Sequence, residues 1–188
     1  EERPDGSLLA PPGALAPSSS TSLTWNGEWP FKPDVVLEGG NGAVDPGRQY
    51  VEAADDLSLL TTHRFPVEKP FVTTGDTSAA AAQAARLAAV LLAEYPNLWP
   101  ETVRALLVHS ASWTPRMRTE NPLRNTEEKR AMLRTYGHGV PDLEKARWSL
   151  RNDVALVAQD QLRPFEKADN GSIRAGEMNV HRLPWPTE

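Results

Sequence analysis

The sequence contains no cysteine, few aromatic residues and no long apolar run. Without cysteine it forms neither a disulfide framework nor a thiolate metal site. No stretch approaches the roughly 18 consecutive apolar residues that a membrane-spanning helix needs, so we expect no membrane partner. A net charge of −5 and the lack of a Lys/Arg run also argue against a nucleic-acid partner.

Proline is abundant by contrast, with 17 among 188 residues, while the 39% of apolar residues is enough for a core. The length suits one domain, or one domain with a piece of another. The chain opens on Glu1 without an initiator Met or a signal peptide, so we expect it to be a piece of a longer protein.

The first segment, residues 1–30, is rich in Pro, Ser and Gly, with Pro-Pro-Gly at 11–13. Such composition is typical of loops. Two interpretations are open: a flexible linker, or an ordered surface loop pinned by Trp25 and Trp29.

Strand signals follow in three places. Lys-Pro-Asp-Val-Val-Leu at 32–37 predicts a buried strand, and the glycine-rich residues 38–42 predict a turn after it. Residues 57–62 and 71–74 are the other two candidate strands, and the last leads directly into Gly75.

The alanine-rich residues 79–95 predict a helix that Pro96 ends. Because this helix is apolar nearly all round, we expect it to be central, with Arg86 marking the one face that reaches solvent or an acidic partner. A second helix should begin at Pro100. Its predicted buried face consists of Val103, Leu106, Leu107 and Ser110.

Residues 136–146 predict a glycine turn and a short helix with Pro141 near its start. From residue 150 onward, the alternating run at 154–157 and Leu-Pro-Trp-Pro at 183–186 indicate the opening of a β-rich region.

Ser78 is the chemically most informative residue, because it follows Gly75, Asp76 and Thr77 at the head of the alanine helix. The free N–H groups of a first helical turn can stabilise an anion that forms beside such a serine. The alternative is that Ser78 is simply the N-cap, a position that serine favours. The Gly-x-Ser-x-Gly elbow of α/β-hydrolases is absent, so that fold is disfavoured.

A nucleophilic serine needs a histidine base and a carboxylate that holds it. None of the four histidines lies in a convincing triad context; they are His63, His109, His138 and His181. Among the nearby carboxylates, we expect Asp34 to be structural and Asp76 to cap the helix. We expect Asp55 and Asp56 to be a solvated loop pair. No His/Asp/Glu cluster has metal-ligand spacing, so we expect no cofactor.

Four segments, taken in order, resemble the C-terminal half of the catalytic domain of subtilisin-like serine peptidases (subtilases, the S8 family). Residues 32–36 with Gly39 resemble the strand that reads Lys-Pro-Asp-Val and then Ala-Pro-Gly. Thr-Ser-Ala-Ala at 77–80 resembles the Gly-Thr-Ser-x-Ala motif of the nucleophile. Residues 100–107 resemble a Pro-x-x-Val-Arg-x-x-Leu helix, and 136–142 resemble the glycine turn that closes the domain.

The resemblance implies an α/β fold of three layers, α/β/α with a parallel sheet, of which residues 31–149 hold the C-terminal half. Residues 1–30 are then a loop or insertion, and 150–188 start a β-rich extension. Ser78 would be the nucleophile of a serine endopeptidase that forms an acyl-enzyme. The backbone of Thr77 and Ser78 would border the oxyanion, and Gly75 and Asp76 would contact substrate.

In subtilases the triad Asp and His and the oxyanion Asn precede the serine. We therefore expect them in a missing N-terminal part of the same protein, and we expect the chain alone to be inactive on its protein or peptide substrate. Calcium is possible by resemblance, with no site assignable.

Departures from the family pattern keep a second hypothesis open. Asp76 stands in place of the glycine of Gly-Thr-Ser, Glu38 in place of the proline of Ala-Pro-Gly, and Ala82 in place of a proline after the serine. Arg86 replaces a helix glycine or alanine. The alternative is a non-catalytic binding or scaffolding domain of the same fold, with Ser78 as a helix cap.

Overall fold

The computed structural model of the chain describes residues 7–45, 47, 51–52, 54–151 and 157–182. The chain divides into two compact units, Glu1–Arg147 and Trp148–Glu188. Most of the alternating run at 154–157 and the whole run at 183–186 that sequence analysis singled out lie outside the described residues; of the two runs, only Val157 is described.

The helices are α1 (Asp76–Glu94), α2 (Pro100–Ser110), α3 (Pro115–Glu120), α4 (Thr126–Tyr136) and α5 (Leu143–Arg151). Local chemistry explains their starts. A proline at the first position begins α2 and α3, where a missing N–H is not costly. The side chain of Asn125 accepts the Glu128 N–H at 2.9 Å and so caps α4. The predicted helices at 79–95, from Pro100 and after Pro141 are therefore confirmed.

The strands are short and pair antiparallel: β1 (Ser7–Leu8), β2 (Ala43–Val44), β3 (Val51–Glu52), β4 (Leu59–Thr62), β5 (Phe71–Thr74), β6 (Phe165–Lys167) and β7 (Ile173–Ala175). In the hairpin of β4 and β5, Leu59 pairs with Thr74 and Thr62 with Phe71. Both strands were predicted, and β4 starts at Leu59 because a 3-10 turn occupies Asp55–Leu57. In the second unit, β6 and β7 form a hairpin.

The predicted buried strand at 32–37 is wrong. These residues are half-buried and belong to none of the described strands. Their backbone pairs instead with the glycine turn: the His138 N–H donates to the Asp34 carbonyl at 2.9 Å, and the Val36 N–H donates to Gly139 at 3.0 Å. A strand forms only beside a neighbour that completes its ladder, and the described residues supply none. The parallel sheet and three layers remain a prediction.

A core of the described residues lies where α3 and α4 meet the loops around them. Met117, Met132 and Tyr136 form a buried cluster, against which Leu15 and Val36 pack. The predicted buried face of α2 is confirmed, since its buried residues are Val103, Leu106, Leu107 and Ser110.

Helix α1 is less buried than its composition predicts. Its buried residues are Ala79, Leu87 and Leu91, whereas Leu92 is 39% exposed. Arg86 is exposed, as expected. A helix that is apolar all round needs cover on two sides, and the described residues cover one. The expectation of a central helix is therefore wrong for the described chain.

An ordered loop precedes this core, and a buried cation holds it. Arg134, only 8% exposed, donates to the carbonyl of Ser22 at 2.7 Å and, at longer range, to those of Trp25, Asn26 and Trp29. Trp25 and Trp29 pack edge to face, and both are exposed. Of the two interpretations that the sequence left open, the ordered loop is the one present in the described residues, but Arg134 rather than the tryptophans holds it.

Candidate functional site

Ser78 lies in the first turn of α1, with its side chain exposed. The N-cap of the helix is Gly75, and no side chain caps it. The interpretation of Ser78 as the helix cap is therefore wrong, and so is a capping role for Asp76. In the part of the chain that the structure describes, the Ser78 hydroxyl has no hydrogen-bond partner. It is accessible to a reactant, and nothing described activates it.

Asp76 holds the backbone that leads into the serine. Its φ of 64° makes it the one non-glycine residue with positive φ among those described. An L-residue in this conformation costs about 1–2 kcal/mol, and aspartate tolerates it better than most because its short side chain is polar. The subtilase pattern that this segment resembles has glycine at this position, and Asp76 keeps a backbone conformation suited to glycine.

The turn at residues 38–40 contacts the serine turn through backbone. The Asp76 N–H donates to the Gly39 carbonyl at 2.7 Å. A Cβ on Gly75 would lie 3.2 Å from the same carbonyl, and one on Gly39 would lie 3.3 Å from the Asp76 carbonyl. Gly40 has a φ of +81°, so residues 38–40 need glycine for their shape as well. Two segments of the family resemblance thus meet at the head of α1.

Gln83 makes a second connection between the same two segments, and sequence analysis missed it. Its Nε2 donates to the Glu38 carbonyl at 2.7 Å and to the Ala79 carbonyl at 3.2 Å. Gln83 is the only polar residue between Ser78 and Arg86, in a run that is otherwise alanine. That isolation is the signal by which the sequence could have marked it.

A largely apolar cleft of about 960 Å³ borders this site. Thr77, Ala80 and Ala84 of α1 line one part of it, and Val36 and Leu37 line another. The cleft lies beside the turn that carries Ser78, so whatever covers it also covers the first turn of α1.

Asp34 connects the 32–37 segment to the other two segments of the resemblance, residues 100–107 and 136–142. Its carboxylate accepts from Lys32 Nζ at 2.6 Å and from the Arg104 guanidinium of α2 at 2.7 Å. Partial burial raises the pKa of Asp34, but the hydrogen bonds from Arg104 and Lys32 outweigh it and leave that pKa below its usual value. The predicted structural role of Asp34 is confirmed.

The closing turn packs too tightly for side chains at its glycines. Gly137 and Gly139 both have positive φ, and a Cβ on either would overlap backbone, that of Pro33 and of Ser112 respectively. The turn therefore brings residues 136–142 against the start of the 32–37 segment, which explains its glycines.

The four histidines belong to four different segments of the described chain. His63 is in the connection of the β4–β5 hairpin, where its Nδ1 accepts the Phe65 N–H at 3.1 Å, and His109 is in the last turn of α2. His138 is exposed in the closing turn, and His181 belongs to the second unit. Among the described residues, no hydrogen bond joins a histidine to Ser78.

The described residues contain no group of three or more His, Asp or Glu side chains placed to hold a metal ion. No helix among them has the length and apolar character needed to cross a bilayer.

Comparison with known proteins assigns the family. Residues 6–139, well over half of the chain, match the Subtilase family (Peptidase_S8). The uncharacterized protein y4bN of Sinorhizobium fredii (strain NBRC 101917 / NGR234) is 30% identical over 158 residues, which cover 82% of this chain and 33% of that protein. The chain thus spans about a third of the length of this relative, and no solved structure gives a significant match. The chain therefore belongs to the subtilase family, whose members are α/β serine peptidases that act on proteins or peptides.

Proposed function

We propose that this chain supplies the nucleophile half of a subtilisin-like serine endopeptidase, with Ser78 as the nucleophile. The observation that carries the proposal is an exposed serine in the first turn of α1, two residues after Asp76, which has positive φ at the family's glycine position. In the reaction, Ser78 Oγ attacks the carbonyl carbon of the scissile peptide and loses its proton to a base. The amine leaves with a proton, and water then hydrolyses the acyl-enzyme.

The chain's own contribution to the transition state is electrostatic. The N–H groups of the first turn of α1 have no partner within the helix, and the helix dipole favours negative charge at this end. The Ser78 N–H would donate to the oxyanion, with the Thr77 backbone beside it, while Gly75 and Asp76 would contact the substrate backbone. One preorganised donor of this kind is worth roughly 10²–10³ in rate.

The base, its carboxylate and the oxyanion Asn would come from an N-terminal part of the same protein. Three observations support this. The Ser78 hydroxyl has no partner in the described chain, Asp76 and Thr77 line a cleft of about 960 Å³, and Leu92 leaves apolar surface of α1 uncovered. The chain also spans about a third of its relative's length. Without that part, the chain would be inactive.

The same N-terminal part would complete the fold. Residues 32–37 belong to none of the described strands, and a neighbouring strand would turn them into an edge of a parallel sheet, with α1 then covered on its second side. This would give the three layers that the resemblance implies.

Serine labelling tests the proposal. A fluorophosphonate probe should modify the complete protein at Ser78 and should fail on Ser78→Ala. Ser172→Ala, which removes an exposed serine of the second unit, is the matched control and should be labelled normally. If the probe leaves Ser78 unmodified while Ser78→Ala retains proteolysis, the proposal is wrong.

The second candidate is a non-catalytic binding or scaffolding domain that keeps the subtilase fold. The substitutions at Asp76 and Ala82 favour it, although Ser78 would then be an exposed serine rather than a cap. The residues that precede Glu1 in the complete protein separate the two. An Asp-Gly turn followed by a His-Gly-Thr sequence supports the enzyme, and their absence supports the scaffold.

A further inference from the structure

We propose that Gln83 is a positioning residue that fixes the Ser78 turn against residues 38–40. The inference rests on the proposed function, because positioning matters only if Ser78 reacts. Gln83 lies about one helical turn beyond Ser78, and its Nε2 reaches across to the Glu38 carbonyl at 2.7 Å.

A second hydrogen bond to the same turn comes from the residues that precede Ser78. The Asp76 N–H donates to the Gly39 carbonyl at 2.7 Å, so two consecutive carbonyls receive donors from residues that flank Ser78 in sequence. The receiving turn is itself held in shape, because Glu38 Oε1 accepts the Gly40 N–H at 3.0 Å. Together, the hydrogen bonds to the Glu38 and Gly39 carbonyls set both the axial position and the rotation of the first turns of α1.

Little else in the described chain could do this. The first turn of α1 has no side-chain cap, and the run after Ser78 is alanine except for Gln83. If Gln83 is lost, the Asp76 N–H becomes the remaining hydrogen bond from the head of α1 to residues 38–40. A displacement of about 1 Å at a reacting atom can cost on the order of 10²-fold in rate.

The chemistry of the side chain gives a specific test. The amide NH₂ donates both of its hydrogen bonds, to the Glu38 and Ala79 carbonyls. In Gln83→Glu, an ionised carboxylate of the same shape can only accept, and it would face the Glu38 carbonyl oxygen. Protonation restores one O–H donor. The variant should therefore recover on acidification, which a merely space-filling role would not produce.

Other charged groups near the site titrate or carry charge as well, and they act equally in all variants. They are Glu38 on the facing turn, Asp56 on the cleft wall, and Asp76 and Arg86 on α1. The quantity to follow is therefore the rate of Gln83→Glu divided by that of Gln83→Ala at each pH.

The experiment uses the complete protein and measures both fluorophosphonate labelling and the kcat and KM of peptide hydrolysis. Gln83→Ala should lose at least about tenfold in labelling rate and in kcat, with KM unchanged. The Gln83→Glu to Gln83→Ala ratio should be near one at pH 7 and should rise several-fold as pH falls toward the ordinary glutamate pKa of about 4.3. Arg86→Ala, an exposed site on the same helix, should match the wild type.

Failures of the two proposals differ. If the wild type is labelled and Gln83→Ala keeps its labelling rate and kcat, or loses only melting temperature, the positioning role is wrong and the proposed function stands. If the ratio stays flat with pH, the donor role of Gln83 is wrong. If the wild type itself is not labelled, the proposed function is wrong, and the positioning role falls with it.

Discussion

The backbone N–H of Asp76 donates to the carbonyl of Gly39 at 2.7 Å, and this bond joins the serine turn to a glycine turn far from it in sequence. The left-handed backbone of Asp76, with a φ of 64°, accompanies that contact. An aspartate at the family's glycine position has therefore not abolished the turn that precedes the serine.

The conformation of Asp76 gives a stability prediction. Asp76→Gly should retain or raise the free energy of unfolding, by up to about 1 kcal/mol, because glycine adopts positive φ without steric cost. Asp76→Ala should lower it by about 1 kcal/mol. Urea unfolding measures both.

Ala82→Gly is the control for Asp76→Gly. Ala82 is an exposed residue in the interior of α1, so glycine there should destabilise the chain by roughly 0.5–1 kcal/mol. Equal destabilisation by the two glycine substitutions would contradict the strained conformation of Asp76.

Asp34 should make stability depend on acidic pH. Its pKa in the folded state lies below that of an ordinary aspartate, so its ion pairs stabilise the fold fully above the ordinary pKa and lose their effect as pH falls through the folded-state pKa. Asp34→Asn should therefore cost up to about 1 kcal/mol at pH 7, a modest amount because Arg104 is largely exposed.

The measurement compares unfolding of Asp34→Asn and the wild type at pH 7 and near pH 2. The difference should shrink toward zero at the lower pH. Asp56→Asn, at an exposed residue, is the control and should change little at either pH. A difference that persists undiminished in acid would show that the ion pairs are not its source.

Tyr136 should ionise at a higher pH than an ordinary tyrosine. Burial, followed by the hydrogen bond that its hydroxyl donates to Glu120 at 2.9 Å, raises the pKa of Tyr136 to about 12. The folded state thus favours the protonated phenol, so this contribution to stability is complete below pH 10 and is lost as pH rises toward 12.

Ultraviolet titration of the phenolate checks this prediction. The wild type should show a late transition that Tyr136→Phe removes and Tyr95→Phe leaves in place. If Tyr136→Phe instead removes absorbance that develops near pH 10, the burial and hydrogen bond do not perturb Tyr136 as described.

Arg134 should contribute strongly to stability because it is buried and serves the carbonyls of the 22–29 loop. Arg134→Met keeps much of the side-chain length but removes every donor, and should cost about 2–3 kcal/mol of unfolding free energy. Arg130→Met, an exposed site one turn earlier on α4, should cost less than about 0.5 kcal/mol. Similar losses in the two variants would show that the hydrogen bonds of Arg134 do not stabilise the 22–29 loop.

Features with local causes could be predicted from the sequence. Pro100 starts α2, and the spacing of its apolar residues identifies the buried face, because helix geometry alone decides which positions align. The hairpin strands at 59–62 and 71–74 and the position of Ser78 at the head of an alanine helix follow from equally local signals.

Features that depend on residues distant in sequence could not be predicted in this way. Residues 32–37 have strand composition but no described neighbour to pair with, and α1 has apolar faces without cover. The role of Arg134 was hidden because its acceptors are loop carbonyls, which every residue possesses. The acceptor of Gln83 was hidden for the same reason, since a carbonyl leaves no mark on the sequence, and only the isolation of Gln83 among alanines pointed to the donor.

The central claim is that Ser78 becomes a nucleophile when the rest of the catalytic domain is present. The most direct measurement is mass spectrometry of the fluorophosphonate adduct, made in parallel on the complete protein and on this 188-residue chain alone. We expect an adduct on the peptide that contains Ser78 in the complete protein and no adduct in the chain alone. An unmodified Ser78 in the complete protein, under conditions in which that protein is folded, would contradict it.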